Sequence, residues 1–262
     1  MRYVEPFVER KGRRSEVLWL GRVASLLSIL FAWLFFSAWL GPTVLPGPAA
    51  TLEYIGQEWK RGQLWLHVGA TLKRVMLAFL LAMLLGLVLG AWMGRSRLVE
   101  VLLGAWVALG LALPRILIIV AAYLVVGLNE RAAVLAVLLI ILPNVVVQIQ
   151  EGVRSLDGRL IQMAQAFRLP PRRLWWRVIL PQLAPFFWGT ARSTLSLAWK
   201  MVVFVELLGR SNGVGYQIAF YFNTFEMRGI LAYGIVMVLL LVALDGLLYL
   251  AAEWSGRWRG RR

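Results

Sequence analysis

Few side chains in this sequence could perform chemistry, and their scarcity limits what the protein can be. There is no cysteine, which excludes disulfides and thiolate metal sites, and His67 is the single histidine among 262 residues. A metal site or a Ser-His-Asp triad would have to be built around that one residue. We therefore predict no catalytic residue and no metal site, and we expect His67 to pack between helices or to lie at a membrane interface.

The remaining candidates are charged residues within long apolar runs, where an ionisable group is costly and marks a functional site by default. Arg115 follows Pro114 in the middle of such a run. A guanidinium is well suited to a sulfonate, nitrate or carboxylate, so we predict that Arg115 contacts an anionic solute along a translocation pathway. The alternatives are an ion pair with Glu206 or Glu100, or a position nearer the membrane interface.

Two further charges, Lys200 and Glu206, share one apolar run and are also candidates for the translocation pathway. They lie six residues apart, about 9 Å along a helix, so they cannot form the usual i,i+4 pair and need other partners. Asp245 lies near the end of the last apolar run. We expect it to have a structural role, in contact with Arg192.

Membrane-spanning helices are the elements that must position these charges. The chain is 60% hydrophobic with a mean hydropathy of +0.73, against about 45–50% apolar residues in a soluble domain. Several apolar runs reach the roughly 20 residues that cross a bilayer. We predict an all-α, polytopic membrane protein with six transmembrane helices, at residues 23–40, 71–93, 101–128, 132–147, 186–208 and 230–252.

These spans divide the chain into four predicted parts. A basic N-terminal segment, 1–22, precedes the first transmembrane helix and a short interfacial helix, 23–63, in which Leu52, Ile55 and Trp59 share one face. The main transmembrane domain, 64–252, contains a long cytoplasmic loop at 148–185, and a basic tail, 253–262, follows it. Within the second span, Gly86, Gly90 and Gly94 are spaced four apart, which predicts a groove where another helix packs closely.

The net charge of +15 raises the question of a nucleic-acid partner. The basic residues are instead divided among the segments between apolar runs, which is typical of a membrane protein and excludes a nucleic-acid interface. The N-terminal segment, the Arg95–Arg97 turn, the 151–177 loop and the tail hold 18 Lys and Arg residues, and the opposite loops hold 7. The positive-inside rule therefore predicts an inner-membrane protein with both termini and the long loop in the cytoplasm.

The long loop reads as a helix, a turn and a second helix. Leu156, Leu160, Met163 and Phe167 share one helix face, and Ser155 or Asp157 can cap its start. Pro170-Pro171 can stop this helix and begin the next one, which Pro181 is expected to end. From the pattern alone, the alternative is a solvated basic loop held by anionic lipid.

This loop resembles the EAA loop of bacterial importer permeases, E-A-A-x3-G-x9-I-x-L-P. Here the pattern reads Gln162-Met163-Ala164, then Arg168, then Val178-Ile179-Leu180-Pro181, with the spacing kept. Gln162 stands for the glutamate and Arg168 for the glycine. The resemblance implies that this loop contacts an ATPase, and the residues it assigns to the contact are Gln162, Met163, Ala164, Phe167, Arg168, Val178, Leu180 and Pro181.

The similarity extends over about residues 45–255. It includes Leu45-Pro46-Gly47-Pro48, Thr71-Leu72-Lys73-Arg74, Ile141-Leu142-Pro143-Asn144, and Trp199 to Glu206 followed by Gly213-Val214-Gly215-Tyr216. In this order they resemble the nitrate/sulfonate/bicarbonate (taurine-type) branch of the type I ABC importer permeases. The resemblance implies a second permease copy, two ATPase subunits and an extracytoplasmic solute-binding protein.

The chain itself carries no G-x-x-x-x-G-K-S/T nucleotide-binding loop. No cofactor is therefore expected here, and ATP and Mg²⁺ would be bound by the partner ATPase. The main alternative is an ion-coupled secondary transporter that uses Lys200, Glu206 and Asp245. Such a protein would show an internal inverted repeat, and the two halves of this sequence show no convincing self-similarity.

Overall fold

The computed structural model describes the backbone of residues 5–256 and the side chains of residues 19–254 apart from Arg22, and these residues form helices joined by short turns and loops, without strands. The predicted basic tail beyond Gly256 lies outside the described residues, as do residues 1–4. The helices are α1 Glu5–Leu40, α2 Pro48–Lys60, α3 Gln63–Arg95, α4 Arg97–Ala112, α5 Arg115–Val126, α6 Glu130–Arg154, α7 Gly158–Ala166, α8 Pro171–Leu174, a π-helical turn Trp175–Ile179, α9 Leu180–Gly209, α10 Val214–Asn223 and α11 Met227–Gly256.

The predicted all-α membrane architecture is confirmed. Of the six predicted spans, four or five meet the criteria of length and apolar composition. Four described helices are long and apolar enough to cross a bilayer: Trp19–Leu40, Gln63–Arg95, Glu130–Arg154 and Met227–Trp254. A fifth span arises if α4 and α5, which meet at a bend of 102°, count as one. The remaining predicted span lies in α9, which carries three charges and is not among these helices, so the sixth span stays a prediction.

The first helices differ in how they pack. α1 contributes little buried surface, and a hydrogen bond from Trp33 Nε1 to the Pro46 carbonyl, 3.0 Å, ties it to the following turn. The predicted interfacial helix exists as α2, but its buried residues are Thr51 and Glu58. Tyr233 of α11 donates a hydrogen bond of 3.0 Å to the Glu58 carboxylate. α2 is therefore fastened to the bundle through a polar contact, while Trp59 stays exposed.

The centre of the bundle is formed by α3, α6 and α9. Small buried residues line their contacts, among them Ala78 and Ala82 of α3, Ala136 of α6 and Ala198 of α9. Lipid tails are as apolar as leucine, so helices in a bilayer associate through close packing rather than through water exclusion. Small side chains permit that packing because they let the helix backbones approach each other.

The glycine stripe of α3 lies against α6. A Cβ added at Gly90 would lie 2.6 Å from the Val146 carbonyl oxygen, and one at Gly94 would lie 2.8 Å from Val153 Cβ. A Cβ at Gly86 would overlap Val145. The backbones of the two helices therefore approach too closely for any side chain at these three positions.

The second helix of the long loop does not end at Pro181, contrary to the sequence prediction. α8, the π-helical turn and α9 follow one another without interruption. The Leu180 N–H donates to the Trp175 carbonyl, five residues back, and Pro181 then lies in the first turn of α9. The π turn changes the hydrogen-bond register just before the proline, whose missing N–H is tolerated at a helix start.

We expect Gly90→Leu to disrupt the contact between α3 and α6, because a leucine side chain there overlaps the α6 backbone. Overpacking of this kind costs about 1–3 kcal/mol or more. Gly69→Leu is the matched control, because it lies on the same helix and a Cβ there meets nothing within 4 Å. In detergent, the unfolding temperature should fall clearly for Gly90→Leu and stay unchanged for Gly69→Leu. Equal unfolding temperatures of the two variants would contradict this packing.

Candidate functional site

The first candidate site is α7 with the turn that follows it. Asp157 caps the helix, as predicted, since its Oδ1 accepts a hydrogen bond of 2.8 Å from the Arg159 N–H. The helix ends in a Schellman motif, in which Leu169 N–H donates to Ala164 O and Arg168 N–H donates to Gln165 O. Arg168 itself has a φ of 52°. The arginine that replaces the glycine of the EAA pattern therefore adopts the left-handed turn that the glycine would favour.

The side chains of α7 divide into an exposed ridge and a buried residue. Phe167 is 76% exposed and Met163 is 54% exposed, and Gln162 and Arg168 are exposed beside them. Ala164 is only 2% exposed. Ala164 is therefore covered by other residues of this chain, and its place in the ATPase contact stays a prediction.

A residue that the sequence analysis missed connects α7 to α9. Gln182 Oε1 accepts a hydrogen bond of 2.9 Å from the backbone N–H of Asp157, and its Nε2 donates to the Val178 carbonyl. Val178 and Pro181 are half-buried nearby, whereas Leu180 is exposed. The start of α7 is thus attached to the start of a 30-residue helix. Nothing in the sequence marks this glutamine, because its partner is a backbone group.

The second candidate site lies at the other end of α9, where Arg74 forms a network that we call the Arg74 cluster, consisting of Arg74, Glu130, Glu206, Arg210 and Asn212. Arg74 Nη1 donates to Glu206 Oε1 at 2.6 Å and to the Asn212 carbonyl at 3.0 Å. Its Nε and Nη2 donate to the two oxygens of Glu130 at 2.8 and 2.6 Å. Its Nη2 also contacts the Asn212 side chain. One guanidinium therefore joins α3, α6, α9 and the loop after α9.

Glu206 is fully buried, with 0% of its surface exposed. Its Oε2 accepts hydrogen bonds of 2.8 Å from the Thr71 hydroxyl and 2.9 Å from the Gly215 N–H. A side chain at Gly213, whose φ is 111°, would overlap this carboxylate. The glycine-rich loop, residues 209–215, lacks a side chain at Gly213, and this lets the backbone close over Glu206. Glu206 is thus enclosed by its own chain, and its place in a translocation pathway stays a prediction.

His67 lies beside this cluster and is buried, which agrees with the expected packing role. Its Nδ1 accepts a hydrogen bond of 3.1 Å from the Gly213 N–H. Its Nε2 is 2.5 Å from the Gln217 side-chain amide. His67 therefore helps to hold the glycine-rich loop.

The other predicted charges lie apart from one another. Arg115 is exposed at the first residue of α5, directly after the 102° bend, and Lys200 is exposed on α9. Among the described residues neither forms an ion pair. The alternative pairing of Arg115 with Glu206 or Glu100 is excluded, because Glu206 pairs with Arg74 and Glu100 with Arg97 and Arg154.

Asp245 pairs with Arg192, as predicted, through bonds of 2.8 and 2.6 Å. Glu206 and Asp245 therefore belong to two separate arginine pairs. A proton or sodium pathway through Lys200, Glu206 and Asp245 would need these groups to face a common space. The structure gives each carboxylate its own partner instead. No group of three or more metal-binding side chains occurs within the described part of the chain.

We expect Arg74→Ala to destabilise the fold strongly, because it leaves the Glu206 carboxylate buried without its cation. Breaking a buried pair in this way costs about 3–5 kcal/mol. Arg192→Ala is the matched control, since it breaks an arginine–carboxylate pair whose side chains are 45% and 39% exposed, and it should cost much less. Unfolding in detergent measures the stability of both variants. An equal loss of stability in Arg74→Ala and Arg192→Ala would show that the Arg74 cluster does not support the fold.

Comparisons with known proteins identify the family of this chain. The family model described as "Binding-protein-dependent transport system inner membrane component" matches residues 82–257. The taurine transport system permease protein TauC of Escherichia coli (strain K12) is 28% identical over 252 residues, which cover 93% of this chain and 91% of TauC. A probable ABC transporter permease of Brucella melitensis biotype 1 is 32% identical over 178 residues, covering 68% of this chain and 72% of that protein.

The E. coli protein described as a putative aliphatic sulfonates transport permease, SsuC, is 28% identical over 228 residues, which cover 85% of this chain and 86% of SsuC. Among solved structures, a chain of the inward-facing MetNI methionine ABC transporter superposes with a TM-score of 0.51 at 18% identity, covering 76% of this chain and 95% of that one. This likeness confirms the predicted type I importer permease fold. The chain belongs to the binding-protein-dependent transport inner-membrane component family and is the permease of an ABC transporter.

Proposed function

We propose that this permease forms the pathway for a small anionic solute, such as a sulfonate, which an extracytoplasmic binding protein delivers. The observation that carries the proposal is Arg115, an exposed guanidinium without an ion pair among the described residues, at the sharp bend between α4 and α5. An unpaired charge within an apolar run needs a partner. Relatives named for taurine and aliphatic sulfonates support an anion as that partner.

The orientation follows from charge. The 18-to-7 distribution of Lys and Arg favours a cytoplasmic position for α7 and for both termini. The Arg74 cluster, at the other end of α9, then lies on the extracytoplasmic side. In this orientation the solute enters near the Arg74 cluster, and energy is supplied at α7.

The energy comes from two ATPase subunits that dock on α7. Phe167 and Met163 support this docking, because exposed apolar side chains in a row mark a surface that a partner covers. Gln162 and Arg168 border the ridge, and Ala164 acts indirectly by holding α7 on its own loop. Movement of α7 reaches the membrane through Gln182 and α9.

The pathway forms between two copies of the chain. A closed two-fold assembly is the commonest arrangement for identical subunits. Leu124 and Val125 of α5 are 81% and 84% exposed, and they lie on the helix that begins with Arg115. We propose that a second copy packs against this helix and that Arg115 of each copy lies along the solute pathway between them.

We expect Arg115→Ala to reduce uptake of taurine into proteoliposomes that contain the assembled transporter, because the anion loses its guanidinium partner. Arg95→Ala is the matched control, since Arg95 is also exposed but lies at the α7 end of α3. Capture of taurine by the binding protein should be unchanged in both. Full uptake by Arg115→Ala would remove the pathway role. Failure of the wild-type transporter to move any sulfonate would remove the proposed solute class.

We expect Phe167→Ala to weaken binding of the ATPase subunit, because it removes the most exposed apolar side chain of α7. An aromatic anchor at an interface is worth about 2 kcal/mol, or roughly 30-fold in affinity. Trp176→Ala is the control, since Trp176 is 66% exposed on the same loop but outside the predicted contact. ATPase co-purification at equal expression measures both, and equal retention by Phe167→Ala and wild type would place the docking surface elsewhere.

A further inference from the structure

Glu130 and Glu206, the two carboxylates of the Arg74 cluster, differ in their exposure to solvent. Glu130 accepts two hydrogen bonds from Arg74 in a forked arrangement, at 2.8 and 2.6 Å, and its Oε1 accepts a third from Arg210 Nη2 at 2.5 Å. Yet its side chain is 51% exposed, whereas those of Arg74 and Arg210 are 3% and 11% exposed. Glu130 thus covers two guanidiniums from the solvent side, and its removal would uncover both.

The charges show what would remain if Glu130 moved away. Arg74 would keep Glu206, a buried carboxylate at 2.6 Å, so this cation stays neutralised. Arg210 would keep a hydrogen bond of 3.1 Å from its Nη1 to the Leu128 carbonyl, but Glu130 is the one carboxylate that it pairs with among the described residues. The site without Glu130 therefore has one uncompensated positive charge and several free N–H groups, which suit a single anion.

Arg210 supplies a second, independent indication. Its Nε is buried and has no hydrogen-bond partner among the described residues. A buried donor without a partner is uncommon and costly in a native structure. Glu130, with two oxygens already shared among three donors, leaves this N–H without an acceptor. A sulfonate has three oxygens, so it can accept hydrogen bonds from both guanidiniums and still provide an acceptor for the Arg210 Nε–H.

The backbone around Glu130 provides a means of exchange. Glu130 is the first residue of α6 and follows Asn129, whose side chain caps the helix by accepting from the Ala132 N–H at 2.9 Å. Gly127, two residues before the cap, has a φ of 90°. Because the cap does not involve Glu130, the glutamate side chain can turn into solvent and release the first turn of α6 from Arg74 and Arg210, while the rest of α6 stays intact.

We infer that Glu130 is the built-in occupant of an anion site formed by Arg74 and Arg210, and that a small oxyanion such as a sulfonate or carboxylate exchanges with it. The inference rests on the proposed function, because it gives the anionic solute an entry station distinct from Arg115. A tethered carboxylate competes at an effective concentration in the millimolar range or above. A dilute free anion therefore leaves Glu130 in place, whereas an anion released next to the cluster from a docked binding protein displaces it.

The test uses the full chain in detergent with methanesulfonate as the probe and dimethyl sulfone as its uncharged counterpart. Glu130→Gln keeps the side-chain shape but removes the competing charge. We expect methanesulfonate to raise the unfolding temperature of this variant saturably, with an apparent dissociation constant at least about tenfold lower than for wild type. Dimethyl sulfone should have no such effect.

Two further variants determine whether the effect belongs to this site. Glu53→Gln removes an exposed glutamate of α2 that forms no ion pair among the described residues, and it should behave as wild type. Adding Arg210→Gln to Glu130→Gln should abolish the saturable rise. The inference is overturned if Glu130→Gln binds methanesulfonate no better than wild type, or if loss of Arg210 leaves binding unchanged.

A measurement on the wild-type chain covers the case in which Glu130→Gln does not fold. Saturating methanesulfonate should increase amide hydrogen exchange at residues 128–132, because the displaced glutamate no longer fastens the start of α6, and unchanged exchange would overturn the inference. This failure is distinguishable from failure of the proposed function. Sulfonate uptake by wild-type proteoliposomes without binding at Glu130→Gln would exclude only the entry station, whereas binding without uptake of any sulfonate would exclude only the transported solute class.

Discussion

The buried ion pair between Arg74 and Glu206 is the contact on which one end of this permease depends. A carboxylate with no exposed surface is costly unless a cation and several N–H or O–H donors surround it. Here the donors come from α3, through Arg74 and Thr71, and from the glycine-rich loop, through Gly215. The ends of α3 and α9 and the start of α10 must therefore stay together for Glu206 to remain satisfied.

α9 extends from the loop that carries α7 to the Arg74 cluster at the other end of the bundle. Its 30 residues extend about 45 Å at 1.5 Å per residue. Gln182 attaches its start to α7, and Glu206 attaches its last turns to Arg74. A displacement of α7 along or around α9 would therefore act on the buried ion pair. This gives a physical route between the surface proposed for the ATPase and the region proposed for solute entry.

Packing within the bilayer explains why the rest of the bundle uses small residues. The glycines of α3 and the alanines of α3, α6 and α9 allow the helix backbones to approach each other. Many large apolar side chains, such as Leu124 and Val125, stay exposed. In water such exposure would cost free energy, but in a membrane these side chains contact lipid or a second copy at little cost.

From the sequence alone, the helical membrane class, the loop that carries α7 and the glycine spacing of α3 could be predicted. These follow from local composition and periodicity, because a helix in lipid must be apolar over its length and must satisfy its own backbone. The capping role of Asp157 and the start of α8 at Pro171 are likewise local, since they depend on neighbouring residues alone.

Which charges are buried and which surfaces are free depends on how the helices pack against one another. Arg74 was counted among the loop residues from its position near the start of an apolar run, although its partner Glu206 lies 132 positions away. Periodicity indicates that Ala164 lies on a helix face but does not show which element covers that face. The π turn that carries the helix past Pro181, and the polar contact of Glu58 with Tyr233, likewise depend on contacts between distant segments. Such contacts are absent from any local pattern, because a side chain's environment is fixed by the elements that fold against it.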